Sequence, residues 1–283
     1  MHFLHSNLFP RLAVRVAAFF LLPLVLGGCM SVAEMGETAE EQDVVTIRVM
    51  SYNIQHGRGM DGQVDIRRIA EVIVREEPDI VALQEVDRGV ERSGGVDIPG
   101  KLAELTGMNV FFDRNIEFQG GDYGNAVLTR FPVLKESNSH LRMIREGEQR
   151  GVIHMVLEIG GRELVFMNTH IDYRRDDSER LKNIRQFREI VETYEGLPVI
   201  ISGDFNDFPG SRTHGKMKED FIDTWEAVGE GDGFTFRSDN PDRRIDYIFL
   251  EKGKGLVPKE AWIPETQASD HLPLVADIVF EQS

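Results

Sequence analysis

The chain has 283 residues, 41% of them hydrophobic and 28% charged, which is apolar material enough for a substantial core and excludes a disordered or fibrous protein. Its 48 acids against 32 bases give a formal charge of −16, so a protein that coats nucleic acid through a broad basic surface is excluded too. With Cys29 the single cysteine, no intramolecular disulfide, cysteine-ligated zinc or iron–sulfur centre is available, and any metal must sit on oxygen or imidazole.

In chain order, Arg11 and Arg15 precede an apolar run of 11 residues, Val16 to Leu26. A bilayer-crossing helix needs about 20, so the run reads as a signal peptide over residues 1–28. It ends Leu26-Gly27-Gly28-Cys29, which resembles the bacterial lipobox, so Cys29 is expected to carry lipid after cleavage. Several acyl chains at ~0.8 kcal/mol per buried methylene would hold the protein on a membrane. Residues 29–43, with Glu34, Glu37, Glu40, Glu41 and Asp43, read as a polar tether. Met30 stands where an aspartate often marks inner-membrane retention, so the expected location is the cell envelope, at the outer membrane of a two-membrane bacterium.

From Val44 short strands alternate with helices. Val44 to Asn53 predicts a buried strand delivering Asn53 at its tip, and Ile66, Ile69, Ala70 and Ile73 give Asp65 to Arg75 the spacing of a helix packed on a sheet, stopped by Pro78. Strands follow at Asp79 to Glu85, Gly124 to Arg130, Val152 to Glu158 and Leu164 to His170; then come a helix from Ser178 to Tyr194 and strands at Pro198 to Ser202, Arg244 to Leu250 and Leu272 to Phe280. With no repeat or internal linker, residues 44–283 read as one mixed α/β domain.

Asn53, Glu85, His170, Asp204, Asn206, Asp246, Asp270 and His271 all fall in polar breaks at the ends of these strands. Strand ends of one sheet converge in space, and carboxylates meeting two histidines there would make a hard-metal site beside an imidazole acid/base, suited to magnesium or manganese. Seven blocks then occur in order: Ser51-Tyr52-Asn53-Ile54, Leu83-Gln84-Glu85-Val86, Gly124-Asn125-Ala126-Val127-Leu128, Asn168-Thr169-His170, Gly203-Asp204-Phe205-Asn206, Arg244-Ile245-Asp246-Tyr247 and Ser269-Asp270-His271-Leu272-Pro273. Together they resemble the endonuclease/exonuclease/phosphatase superfamily from about Thr46 to Phe280.

The resemblance implies a DNase I-like four-layer α/β/β/α sandwich, two packed mixed sheets flanked by helices. It implies Mg2+ or Mn2+ held by Glu85 with Asn53 and Asp270, and His271 as general base or electrostatic partner oriented by Asp246. Asp204 and Asn206 would orient the attacking water, Asp204 as candidate base, while His170 would donate to a phosphate oxygen and Asn125 would bind the same phosphate. Arg88 and Arg92, in the arginine- and glycine-rich loop after Glu85, are candidates for a second phosphate or head group. That loop resembles small bacterial members related to a GPI-anchor-processing protein. The expected activity is therefore metal-dependent hydrolysis of a small or lipid-linked phosphomonoester or phosphodiester by a monomer. The alternatives are a secreted or surface nuclease and a non-catalytic surface binding module, which would be expected to lack one of Glu85, Asp204, Asp270 or His271.

Overall fold

In the computed structural model, which describes residues 45–281, two six-stranded mixed sheets stack face to face. The expected signal segment, Cys29 and the tether lie outside the described residues. The strands are β1 (Val45–Asn53), β2 (Ile80–Arg88), β3 (Asn109–Phe118), β4 (Gly121–Thr129), β5 (Val133–His140), β6 (Gly151–Ile159), β7 (Arg162–His170), β8 (Val199–Asp204), β9 (Phe221–Asp223), β10 (Asp246–Glu251), β11 (Leu256–Trp262) and β12 (Leu274–Phe280). One sheet runs β11-β12-β1-β2-β4-β3 and the other β5-β6-β7-β8-β10-β9. The helices are α1 (Ile66–Glu76), α2 (Ile98–Thr106), α3 (Ser178–Glu192), α4 (Arg212–Asp220) and the short α5 (Thr224–Val228).

The inner strands are apolar on both faces because both faces are covered. Ile47, Val49, Ile80 and Ala82 face the second sheet, meeting Met155, Leu157, Phe166, Ile200 and Ile248. Their neighbours Met50, Tyr52, Val81 and Leu83 face the other way, onto Ile69, Ile73 and Leu102 of α1 and α2. On the far side Ile184 and Phe187 of α3 cover Val165, Met167, Val199 and Ile201. The result is the expected four-layer α/β/β/α sandwich. Asp65 caps α1 by accepting from the Arg67 amide, and Glu77, in the left-handed region ahead of Pro78, ends it.

Two strand boundaries differ from the sequence reading where it matters. β2 does not stop at Glu85 but runs on to Arg88, and β10 begins only at Asp246. The chain also contains α2, β3, β5, α4, β9, α5 and β11, none of which the periodicity predicts.

The sheets are tied at one end by a buried amide. Asn168 on β7 donates to the carbonyls of Leu83 and Ala126 on the opposite sheet, both at 2.8 Å, and accepts from Gln84 Nε2 at 2.8 Å. Close by, Gly203 lies against β7, where a Cβ would come 2.0 Å from the Thr169 carbonyl oxygen. Replacing Asn168 by leucine keeps the volume but strands three buried polar groups, each worth roughly 1–3 kcal/mol. Asn168→Leu should therefore lower unfolding stability by about 3 kcal/mol or more, read as a reduced urea midpoint at unchanged slope.

Candidate active site

Strand register alone assembles most of the site. Parallel pairing of β7 with β8 sets His170 beside Asp204, and antiparallel pairing of β8 with β10 sets Asp204 opposite Asp246. In the other sheet the parallel β1–β2 pair sets Asn53 beside Gln84, one residue from Glu85. The cleft thus lies between the ends of two sheets and not, as strand ends alone suggest, at the end of one.

Glu85 needs a further device. Leu83 pairs with Ala126 and Val86 with Gly124, so Gln84 and Glu85 together face Asn125 in a β-bulge, with Glu85 at φ 57°. Without the extra residue, alternation would turn Glu85 with Leu83 toward the helices. The bulge instead leaves Glu85 beside Asn53, whose Nδ2 donates to Glu85 Oε1 and Asp204 Oδ2, both at 3.1 Å.

Asp204 is the hub. Its Oδ1 accepts the Asn206 amide at 2.9 Å, and its Oδ2 lies 3.8 Å from His271 Nε2 and 3.5 Å from His170 Nε2. His271 Nδ1 donates to Asp246 Oδ2 at 2.9 Å, and the ring packs on Phe236 with centroids 4.9 Å apart. Asp270 joins through Gln55, whose Nε2 donates to Asp270 Oδ2 at 2.8 Å while its backbone amide donates to Asn53 Oδ1 at 3.1 Å. Asn206 Nδ2 donates to His170 Nε2 at 2.9 Å, which turns that nitrogen toward Asn206 rather than leaving it as a donor to the cleft.

The expected set of Asn53, Glu85, His170, Asp204, Asn206, Asp246, Asp270 and His271 is therefore brought together. Asn125 is buried beside it, but its amide is engaged with the Gly151 carbonyl at 3.3 Å. The two loop arginines are paired elsewhere: Arg88 with Asp122 at 2.6 Å, and Arg92 bidentately with buried Asp87 at 2.8 and 2.9 Å. Sequence reasoning passed over Gln55, Ser269 and Arg150. Ser269 donates to the Asn53 carbonyl at 2.8 Å, binding the Asp270–His271 segment to β1. Arg150 is buried, paired with Glu148 at 2.7 Å and close enough to His170 for its charge to act on that ring. Its position immediately before an apolar strand was the available signal.

Burial and charge pull these groups in different directions. Burial pushes the carboxyls of Glu85, Asp204 and Asp270 up, with the Asp246 charge adding to the effect on Asp204. Burial opposes the charged form of His271, but the carboxylates of Asp246, Asp204 and Asp270 overcome it and carry the ring up to about 10. His170, buried and near the charges of Arg150 and His271, is held well below its usual value. Acidic side chains thus outnumber the one ring cation among them, and buried Asp246 Oδ1 has no hydrogen-bond partner among the described residues. Such an oxygen-rich, under-neutralised cluster fits a divalent cation. Asp204, Asp246 and His271 offer ligand atoms within 4.8 Å of one another, with Asp246 and His271 also bonded to each other, and Glu85 and Asp270 are the remaining carboxylates of the cleft. A second cluster, His214, Asp223 and Glu226, is less open to an ion, because Asp223 already holds Arg244 at 2.7 Å and caps α5.

A single family model spans residues 50–271, from just before Asn53 to His271. The chain belongs to the endonuclease/exonuclease/phosphatase family. Among its relatives in this family of phosphoric ester hydrolases, the Escherichia coli uncharacterized protein YbhP is 26% identical over 249 residues, covering 82% of this chain and 96% of YbhP. A Caenorhabditis elegans 5'-tyrosyl-DNA phosphodiesterase is 28% identical over 236 residues, covering 76% of this chain and 60% of that protein. Among solved structures, the mannosyl-6-phosphatase of Bacteroides thetaiotaomicron matches with a TM-score of 0.68 at 19% identity, over 83% of this chain and all of that one.

The raised values have one sign for stability. A group whose pKa is higher in the fold than in the unfolded chain contributes stability below its unfolded pKa and loses it as pH rises through the folded value. Above the ordinary histidine range the metal-free protein should thus lose stability as pH rises toward about 10, where His271 deprotonates, whereas below that range His170, held under its usual value, works in the opposite direction. Saturating Mg2+ should raise the melting temperature more near pH 8 than near pH 5, and Glu85→Gln should remove most of that gain.

Proposed function

We propose that the chain is a Mg2+- or Mn2+-dependent phosphoric ester hydrolase, acting as a monomer on a small or lipid-linked ester outside the cytoplasm. The observation that carries this reading is the His271–Asp246 pair directed at Asp204, beside Glu85 and Asn53. The cation would be held by Glu85, Asn53 and Asp270, and when bound it polarises the phosphoryl group and offsets the charge that develops on it.

Every other step falls to side chains. Asp204, its pKa raised by burial, is the base that takes a proton from the attacking water, and the Asn206 amide and Asn53 fix its two oxygens in place. His271 remains protonated because Asp246 holds its Nδ1, so its Nε2 hydrogen is available to a phosphoryl oxygen as negative charge grows. Buried Arg150 supplies a second positive charge near His170. As the water oxygen bonds to phosphorus the bond to the ester oxygen breaks, and the departing oxygen takes its proton from solvent; buried Arg180 fixes the loops after β7 and β8 through the Asp172 carbonyl and Asp207. The net acidity of the chain favours small and lipid-linked esters over polymeric nucleic acid.

A panel of bis(p-nitrophenyl) phosphate, p-nitrophenyl phosphate, a sugar 6-phosphate, a 5'-tyrosyl oligonucleotide and supercoiled plasmid tests this with Mg2+, Mn2+ or EDTA. Turnover of at least one ester with a divalent ion, abolished by EDTA and lowered about 10²–10⁴-fold in folded His271→Ala, is expected. EDTA-insensitive turnover, or none at all, overturns the reading; plasmid nicking as the dominant activity selects the nuclease alternative.

The envelope location rests on Arg11, Arg15, the apolar run and Cys29 acting as one lipoprotein signal. Labelled fatty acid should be incorporated into the wild type and not into Cys29→Ser, which should accumulate as uncleaved precursor. An unlabelled wild type in the soluble fraction overturns the anchor.

A further inference from the structure

The two most exposed large apolar side chains among the described residues, Tyr173 at 67% and Phe208 at 60%, lie three residues after His170 and two after Asn206. A third, Ile144 at 49%, lies on the loop from β5 to β6. None has a role in the chemistry described above, yet all three loops are fastened to the first turn of α3. Arg180 Nη1 donates to the carbonyls on either side of Tyr173, those of Asp172 and Arg174, and its Nε donates at 3.1 Å to Asp207 Oδ2, one residue before Phe208. The preceding residue, Glu179, accepts the Ile144 amide at 2.9 Å. Two adjacent side chains of one helical turn thus gather the three tips. Asn206 ties the group to the cleft by donating to the Ile171 carbonyl at 3.2 Å as well as to His170. The Tyr173 ring stands 5.9 Å from the guanidinium of Arg150, whose charge reaches His170.

The same surface is basic in an acidic protein. Residues 142–150, 172–185 and 206–216 carry ten lysines and arginines against seven acids, whereas the whole chain has a formal charge of −16. Arg145 follows Ile144, Arg174 and Arg175 follow Tyr173, and Arg212 opens α4 just after Phe208. Arg175 is exposed with no carboxylate within ion-pair distance among the described residues, unlike its neighbours Arg145 and Arg174. Beside this rim a groove of about 620 Å³ between α3 and α4 is lined by Leu181, Ile184, Arg185, Arg212 and Lys216. Arg212 and Lys216 reach Asp177 and Glu219, while Arg185, also exposed, has no carboxylate partner among the described residues.

We propose that this rim docks on a bilayer containing anionic phospholipid. Ile144, Tyr173 and Phe208 enter the boundary between head groups and acyl chains, and Arg175, Arg185 and the cations around them meet head-group phosphates. Apolar tips set among arginines match that boundary, where hydrocarbon lies directly beneath negative charge. A protein partner selects a continuous apolar patch, which tips separated by charges do not make, and a single-stranded nucleic acid selects rings on which bases stack, which Ile144 does not supply. Docking itself needs no catalysis. Its consequence, that the cleft takes its ester from a membrane lipid, rests on the phosphoester reading.

Tryptophan placed at one position at a time in the full chain, on vesicles whose acyl chains carry bromine, tests the orientation. Ile144→Trp and Phe208→Trp probe the rim. Val257→Trp is the control, because Val257 is exposed and level with Thr46, at the end of the strands opposite Asn53. Wild-type emission is subtracted to remove Trp225 and Trp262. With about 30% phosphatidylglycerol, quenching at 144 and 208 should exceed that at 257 threefold or more, with emission shifted to the blue. It should fall by at least half on phosphatidylcholine alone and in the Arg175→Glu/Arg185→Glu background. Melting curves establish that each variant is folded. Absence of quenching at 144 or 208, equal quenching at 257, or quenching indifferent to lipid charge and to charge reversal overturns the docking surface. Depth at each position is what is read, so attachment through a lipid on Cys29 does not by itself produce the pattern. Nothing is hydrolysed, so the outcome stands apart from the EDTA-sensitive turnover that tests the function.

Discussion

The amide of Asn168 is the contact on which the catalytic end of the molecule depends. Two sheets packed through aliphatic side chains can slide over one another at small cost, because dispersion and apolar burial have little directionality. The Asn168 hydrogen bonds to Leu83, Ala126 and Gln84 are directional, and they lie within two residues of both Glu85 and His170. They convert a greasy interface into one with a single register at the end where catalytic groups from the two sheets must meet within about 3 Å. The Asn53 amide, reaching Glu85 in its own sheet and Asp204 in the other, then spans an interface already set in place.

Held together in this way, the site is electrostatically unfinished. Glu85, Asp204, Asp246 and Asp270 crowd around His271, and three of the four are pushed toward their neutral forms. Structural clusters elsewhere in the chain are balanced, as where Asp223 is met by both His214 and Arg244. The contrast separates a cluster whose charges are balanced from one left short of positive charge, which is what the proposed cation would supply.

The eight strands legible in the sequence are the eight interior ones, and β3, β5, β9 and β11, which are not, are the four edges. Interior strands are covered on both faces and read as apolar runs, whereas β5, Val-Leu-Lys-Glu-Ser-Asn-Ser-His, is polar along most of its length and resembles a loop. The site was legible for a related reason: a polar residue at the end of an apolar run stands out, as Asn53, His170 and Asp204 do. What stayed hidden is what depends on contacts between distant segments. The bulge at Glu85 exists only in the pairing with Asn125, and Gln55 matters only because Asp270 arrives beside it. Arg88 and Arg92 had the residue type of phosphate binders, but their partners Asp122 and Asp87 emerge only in the fold.

The same four edges bear on how the molecule behaves among its neighbours. An exposed strand is a template for another chain, and each of these is spoiled for that purpose in its own way. Pro258 and a register shift interrupt β11, charged Asp113, Arg114 and Glu117 stud β3, Lys135 and Glu136 sit on β5, and β9 spans three residues. A sandwich with two open sheets would otherwise extend edge to edge when concentrated. This one should remain dispersed at high local density, because no rim offers a neighbouring copy a long, uncharged ladder to continue.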